Sequence, residues 1–351
     1  MRSLFCVAFI FPSLLLAQTR GDSLLATERS IDRPITLHKG QIRATGAYSL
    51  SVISWRFDDL GNANSLRDEG LSSFRHRFGL DIKYGLLEFI QLSAFTYHSS
   101  RTVRDQTRSI FPINPQAEPS VSLNRLDFYR GIEDITAAVD FRAPFKTRKI
   151  DVAMTIGISL PVAEHNPDKP SHTISYSEDG QSSRYDIVYR YNYNLGNGVS
   201  LLHLGGMVKY RLADWAFSAR LDYRHGLKDG SSYQWTHQLV DYETFEYRQE
   251  PFIYRLPDTF EYYAEIEYQS LPWFDLILNV SGYNGQNGWK TDGPYRVGIP
   301  DATLIMVNPG VELIVTPRLW FRQELQFPVY GKNYEGATTF HTSLIYNFFL
   351  Y

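Results

Sequence analysis

The stretch SFRHRFGLDIKYG, residues 73–85, constrains the fold of this chain more than any other feature. Its even positions, Phe74, His76, Phe78, Leu80, Ile82 and Tyr84, are bulky. Its odd positions carry Arg75, Arg77, Gly79, Asp81 and Lys83. A period of two describes a β-strand with two unlike faces. The pattern recurs at residues 42–52, 90–94, 135–141, 150–160, 202–210, 215–223, 260–268, 274–280, 305–315, 319–327 and 340–350. Beyond the first residues no run of about 18 apolar residues occurs, so no membrane-spanning helix is expected. Tyr (24) and Phe (22) are abundant, which suits strands. The open question is whether the apolar faces meet a protein core or lipid.

The connections decide it. Five are short, at 85–88, 144–149, 212–214, 271–272 and 316–318. The others, near 58–71, 99–124, 162–198, 227–257 and 285–301, are long and polar, and the two kinds alternate along the chain. A compact soluble domain seldom carries several structureless loops beyond about 12–15 residues. An outer-membrane barrel has short periplasmic turns and long extracellular loops. Aromatics flank the short turns: Tyr84 and Phe89, Phe141 and Phe145, Tyr210 and Trp215, Tyr268 and Trp273, with Trp320 after the fifth. Gathered at one end of successive hairpins, they read as a girdle at the membrane interface. The expected fold is all-β: an antiparallel transmembrane barrel whose apolar faces look at lipid and whose charged faces look inward. Five hairpins and a strand at each terminus give twelve strands. The segment 185–198 reads as an extracellular extension of its hairpin. Fourteen is the alternative if a further strand lies in 227–257.

The N-terminus agrees with export. Arg2 is followed by an apolar run over residues 4–16 and by the small residue Ala17, the pattern of a signal peptide cleaved after residue 17. Residues 18–36 are expected to form an N-terminal periplasmic segment, and 37–351 the barrel. The only cysteine, Cys6, falls in the signal, so the mature chain is expected to hold neither disulfides nor thiol chemistry. Without Arg2, 34 basic residues face 38 acidic ones, which is no footprint for nucleic acid.

Residues 131–164 (GIEDITAAVDFRAPFKTRKIDVAMTIGISLPVAE) carry a Gly-x-x-Asp strand, a turn, and a strand ending in Leu160-Pro161. This hairpin resembles one in the outer-membrane transporter family named after the meta-pathway of phenol degradation. Residues 310–336 and the aromatic final strand are similar to that family's tail. Leu160-Pro161-Val162 stands where the family usually has Pro-Thr-Gly. The resemblance implies a barrel of this kind and, loosely, transport.

No constellation for catalysis stands out. The nine histidines (38, 76, 98, 165, 172, 203, 225, 237 and 341) show no metal-ligand spacing, and neither a G-x-S-x-G elbow nor a P-loop is present. No cofactor is expected. Charges in phase with the inner face are Arg75, Arg77, Lys83, Arg142, Arg220, Arg224 and Arg322, with Asp81, Asp140, Asp222, Glu261, Glu265, Glu267 and Glu324. These are the expected lumen-facing residues. Arg220 and Arg224 are expected to form a cross-strand ladder with Glu261, Glu265 and Glu267. Twelve strands leave a lumen between a filled eight-stranded barrel and an open porin. The expected role is a narrow pore or transporter for small solutes. A structural or adhesive surface barrel with binding loops is the alternative, and an outer-membrane enzyme a lesser one. Expected partners are outer-membrane lipid, the barrel-assembly machinery through the C-terminal strand, and a small solute. A TonB-dependent plug domain is not expected from so short an N-terminal segment.

Overall fold

The computed structural model describes residues 29–350 apart from 69, 106–119, 145–148, 163–170, 177–181, 192–197, 240–244 and 293–294. The proposed signal peptide, Phe145 and His165 lie outside the described residues. So do the side chains of 105, 120–125, 172–191 and 236–245.

Twelve strands close a barrel: β1 (Gln41–Phe57), β3 (Leu71–Leu87), β4 (Ile90–Asp105), β6 (Ile135–Arg142), β7 (Ile150–Leu160), β10 (Leu201–Leu212), β11 (Trp215–Gly226), β14 (Asp258–Leu271), β15 (Phe274–Gln286), β18 (Ala302–Ile314), β19 (Leu319–Lys332) and β20 (Tyr334–Phe349). Each pairs antiparallel with its neighbours. The ring closes where β1 pairs with β20, from Gln41↔Phe349 to Phe57↔Tyr334, and with β3 on its other side. Closure matters because an unpaired edge in lipid strands backbone groups without partners, at several kcal/mol each.

The alternation becomes two surfaces. Phe78, Leu80, Met154, Ile156, Leu221, Leu276 and Leu344 project outward and are strongly exposed, Met154 at 62%. So large an apolar surface is intelligible only against lipid. His76 shares this outer face and is hydrogen-bonded by Tyr48 across the β1–β3 pair at 2.9 Å, which satisfies one polar atom. Phe89, Phe141, Tyr210, Trp215 and Trp273 lie exposed at the short-turn end. Trp320 does not join them. It shares the inner face with Arg322 and Glu324, is buried, and carries the Arg33 guanidinium 3.8 Å above its ring. Trp320 is one residue into β19 and out of phase with Leu319 and Phe321, so the pleat turns it inward.

The long connections are not structureless. β4 runs to Asp105 and β5 (Ser120–Ile132) returns beside it, so the 99–124 loop is much shorter than its polarity suggests. β5 and β6 continue one path, interrupted at Glu133-Asp134. The 162–198 region holds the hairpin β8 (Ser171–Tyr176) and β9 (Ser182–Tyr191), with β9 parallel to β5. β12 (Gly230–Leu239), β13 (Phe245–Arg255), β16 (Trp289–Asp292) and β17 (Tyr295–Gly298) form a separate four-stranded sheet. A small apolar cluster of Val199, Leu201 and Tyr254, flanked by Phe252 and Leu256, joins that sheet to the barrel. The short β2 (Ala63–Ser65) folds back on β1. These extra strands sit at the end away from the short turns. They raise the strand total without entering the ring, because polar extended segments leaving the membrane pair with one another.

Candidate solute path

Contacts between strands that are not neighbours must run through the barrel interior, and they define its inner face. Starting from the short-turn end, the first group is made by the N-terminal segment. Ser30, Ile31, Thr36 and Leu37 are buried. Arg211 of β10 donates to the carbonyls of Ile31 (2.9 Å) and Arg33 (2.6 Å) and to Asp151 of β7 at 2.6 Å. Ser30 Oγ donates to Asp275 of β15 at 2.5 Å. The Leu37 N–H donates to Gln91 Oε1 of β4 at 3.0 Å. Gly85 of β3 has no side chain to obstruct the segment: a Cβ there would lie 2.0 Å from the His38 carbonyl oxygen. At the turn between β10 and β11, Arg29 is bonded by Asp32 and by Asp214, each at 2.7 Å, and these carboxylates hold its guanidinium above the ordinary value. A dozen residues thus touch the barrel wall on most of its sides. Their sequence carries no periodic signal, because their order comes from side chains distributed over four strands and a turn.

The second group lies midway. Arg322 of β19 reaches Glu265 of β14 at 2.5 Å, across β18 and β15, and also bonds Glu324. The Tyr263 hydroxyl donates to Glu265 and accepts from Arg322. Asn279 of β15 donates to Glu324 at 3.3 Å, and Asn308 donates to Asn279 and to Ser281. Asn279 and Asn308 are almost fully buried. Buried polar atoms of this number are tolerated only where they satisfy one another.

The third group lies toward the long loops. Glu133, at the break between β5 and β6, binds Arg75 at 2.6 Å and Arg77 at 2.5 Å across β4, and accepts from Ser99. Tyr97 lies flat beneath Arg77, whose guanidinium is 3.6 Å above the ring; it can do so because its direct neighbour across the strands is Gly79. Arg101 binds Glu335 at 2.6 Å.

Most of the remaining charges have local partners. Asp81 and Lys83 approach to 3.6 Å. Asp140 accepts from Gln91 and Thr155. Arg142 makes no ion pair among the described residues. The ladder between β11 and β14 reduces to one rung, Arg224–Glu261 at 2.5 Å. Arg220 instead binds Asp222 on its own strand at 2.5 Å. It stands opposite Tyr263, not a glutamate. Glu265 turns to Arg322, and Glu267 lies 3.8 Å from Lys209. In a closed barrel an inward side chain can reach past its neighbours, so pairing by adjacent strand undercounts the choices. Sequence reasoning missed Asp151, Lys209, Arg211, Gln269, Asp275, Glu312, Asn279, Asn308 and Glu133. The signal existed for most of them: each but Glu133 is a polar residue in inward phase within an apolar strand.

Among the described residues, one group has the composition of a cation site. Glu267, Asp275 and Glu312 each offer an oxygen, all within 4.8 Å of one another.

No family model and no curated protein matches the chain. Among solved structures, an outer membrane channel from Pseudomonas putida F1 superposes with a TM-score of 0.61 at 12% identity, covering 89% of this chain and 97% of that one. A mutant of the TodX monoaromatic hydrocarbon channel gives 0.48 at 9% identity, covering 90% and 91%. The translocator domain of the autotransporter NalP from Neisseria meningitidis gives 0.46 at 8%, covering 99% and 98%. The first of these shares the architecture described above, and on that likeness the fold is that of an outer-membrane β-barrel.

Proposed function

We propose that this chain is an outer-membrane pore for small solutes, with a narrow lumen lined by paired charges and closed at its periplasmic mouth by residues 29–40. The observation that carries the reading is the set of ion pairs spanning the interior, above all Arg322–Glu265, which joins strands separated by two others. A solute path needs polar walls, and these paired charges supply them. In this reading Arg75, Arg77, Asp81, Lys83, Asp140, Arg142, Arg220, Asp222, Arg224, Glu261, Glu265, Glu267, Arg322 and Glu324 line the path. The chain is exported through a signal peptide cleaved after residue 17 and is inserted by the assembly machinery through its last strand. It is a relative of the transporter family whose hairpin it resembles. It performs no chemistry on its solute.

The test is planar-bilayer conductance of the purified chain with a panel of small solutes and salts. Replacing Glu261, Glu265 and Glu267 together by Gln is expected to move reversal potentials toward anion selectivity with the barrel still folded. Absence of any unitary conductance, for the chain and for a variant lacking residues 18–36, refutes the pore. The four-stranded outer sheet favours a second role, a binding surface for another cell or molecule, and a folded but non-conducting barrel that retains surface binding supports it.

A further inference from the structure

Glu267, Asp275 and Glu312 come from three adjacent strands, β14, β15 and β18, at the end that residues 29–40 occupy. Asp275 is directly opposite Glu312 on one side and Gln269 on the other. Opposite residues of an antiparallel pair share a face, so all of them project into the barrel. Asp275 is fully buried and Glu312 nearly so.

Four cations face this group: Lys209, Arg33, Arg43 and Arg322. Lys209 approaches Glu267 only to 3.8 Å. Arg322 is engaged by Glu265 and Glu324. Arg43 binds Asn347. Arg211 is committed to Asp151 and to the carbonyls of Ile31 and Arg33. Three carboxylates buried this close together repel one another, and burying each costs several kcal/mol as a rough scale unless it is well paired.

Gln269 adds an independent observation. It is 94% buried by its 6% exposure, and neither its amide oxygen nor its amide nitrogen has a hydrogen-bond partner. It stands beside Asp275 and two residues beyond Glu267 on the same face. A buried amide left unpaired is expensive, and its oxygen is a ligand type used by hard cations. Asp275 uses Oδ2 to accept from Ser30 and has no donor at Oδ1. Oxygens bound at about 2.3–2.6 Å to one ion can be at most about 5 Å apart. The carboxylate oxygens already satisfy that limit.

We propose that Glu267, Asp275 and Glu312, with the amide oxygen of Gln269, bind one divalent cation of the Ca2+ class inside the periplasmic mouth. Only oxygen donors are present, which suits Ca2+ over softer transition metals. The three carboxylate oxygens already lie close together in an irregular arrangement from adjacent strands, which suits the looser shell of Ca2+ over the strict octahedron of Mg2+. The ion neutralises the buried carboxylates and gives Gln269 its partner. Because Asp275 also holds Ser30, binding tightens the grip on the N-terminal segment. That last consequence rests on the pore reading; the binding itself does not.

The experiment uses full mature chain refolded into detergent, free of lipopolysaccharide, whose phosphates take up Ca2+. Chelator-stripped protein is titrated with Ca2+ and separately with Mg2+ by calorimetry, and its thermal unfolding is followed with and without Ca2+. One Ca2+ per barrel, tighter than Mg2+, with a raised unfolding temperature, is expected. Glu312→Gln and Gln269→Leu, each checked for heat-modifiable migration, are expected to weaken Ca2+ at least about tenfold. Asp214→Asn, at the mouth but outside the group, is expected to bind as the parent does. No saturable Ca2+ uptake by folded parent protein overturns the proposal and shows that protons neutralise the cluster. Equal affinity in folded Glu312→Gln and Gln269→Leu also overturns it. None of these readings uses conductance, so failure of the pore reading and failure of the cation site are told apart.

Discussion

The two ends of this barrel are built by opposite means. At the periplasmic end the strands turn tightly, at Ala213-Asp214 and Pro272-Trp273, and the interior is filled by a segment that enters no sheet. At the other end the strands keep going, and what leaves the ring pairs into additional sheet. The first end is ordered by side chains reaching from the wall, such as Arg211 and Asp275. The second is ordered by backbone pairing, as in the ten rungs from Gly230↔Tyr254 to Leu239↔Phe245. Side-chain order can be dismantled one residue at a time. Backbone order yields only to deletion.

The largest expected effect separates ring from additions. Deleting residues 340–351 removes most of β20 and opens the ring at β1, so insertion into the outer membrane is expected to be abolished. Replacing 163–197 with a flexible linker removes β8 and β9 but no ring strand, and normal heat-modifiable migration on gels is expected. If both deletions fail alike, the distinction between ring and addition does not hold.

Next comes the periplasmic mouth. Arg211→Ala strips the donor from two carbonyls and leaves Asp151 buried without its cation, at a cost of about 3–5 kcal/mol. Equilibrium unfolding should show the loss, and protease added from the periplasmic side should cut within 29–40. A single substitution of like kind at the far end, Arg255→Ala, breaks only a half-exposed 3.7 Å contact with Asp229 and should change stability by less than about 1 kcal/mol.

The outer surface gives a smaller contrast. Met154 projects from the middle of β7 and Leu60 from the turn beyond β1, both strongly exposed. Met154→Arg is expected to cost about 2–4 kcal/mol in lipid. Leu60→Arg should stay within about 0.5 kcal/mol. Equal costs in refolding into vesicles place the lipid boundary wrongly.

The smallest effect is a local titration. Asp58 accepts from the Asn62 side chain at 2.8 Å and from the N–H groups of Leu60 and Asn62, which hold its carboxyl below the ordinary value of 3.8. The depressed value means these bonds stabilise the 58–62 turn at neutral pH. That support is lost only as pH falls through the folded value. An NMR titration of Asp58 should show ionisation persisting below that of an exposed Asp. The Asn62→Ala variant should titrate closer to 3.8.

Alternation within the chain was enough to read the ring. Residues 73–85 show both faces of β3, and the rhythm of short and long connections orients the hairpins. Those features are local, because the pleat sends neighbouring side chains to opposite sides whatever lies beyond. Apolar positions at that period, repeated twelve times without cysteine or a helical span, leave a barrel in lipid as the arrangement that buries every face and pairs every edge. Tertiary structure alone decided the partners within. Arg220 could not be assigned to Asp222, nor Arg322 to Glu265, from strand order. Their distances depend on how the ring curves and where its registers shift. Trp320 moved from girdle to interior on a single step of phase. Residues 29–40 carry no period at all, and their place in the mouth follows from Arg211, Asp275 and Gln91, which lie far away in sequence and meet only once the ring has closed.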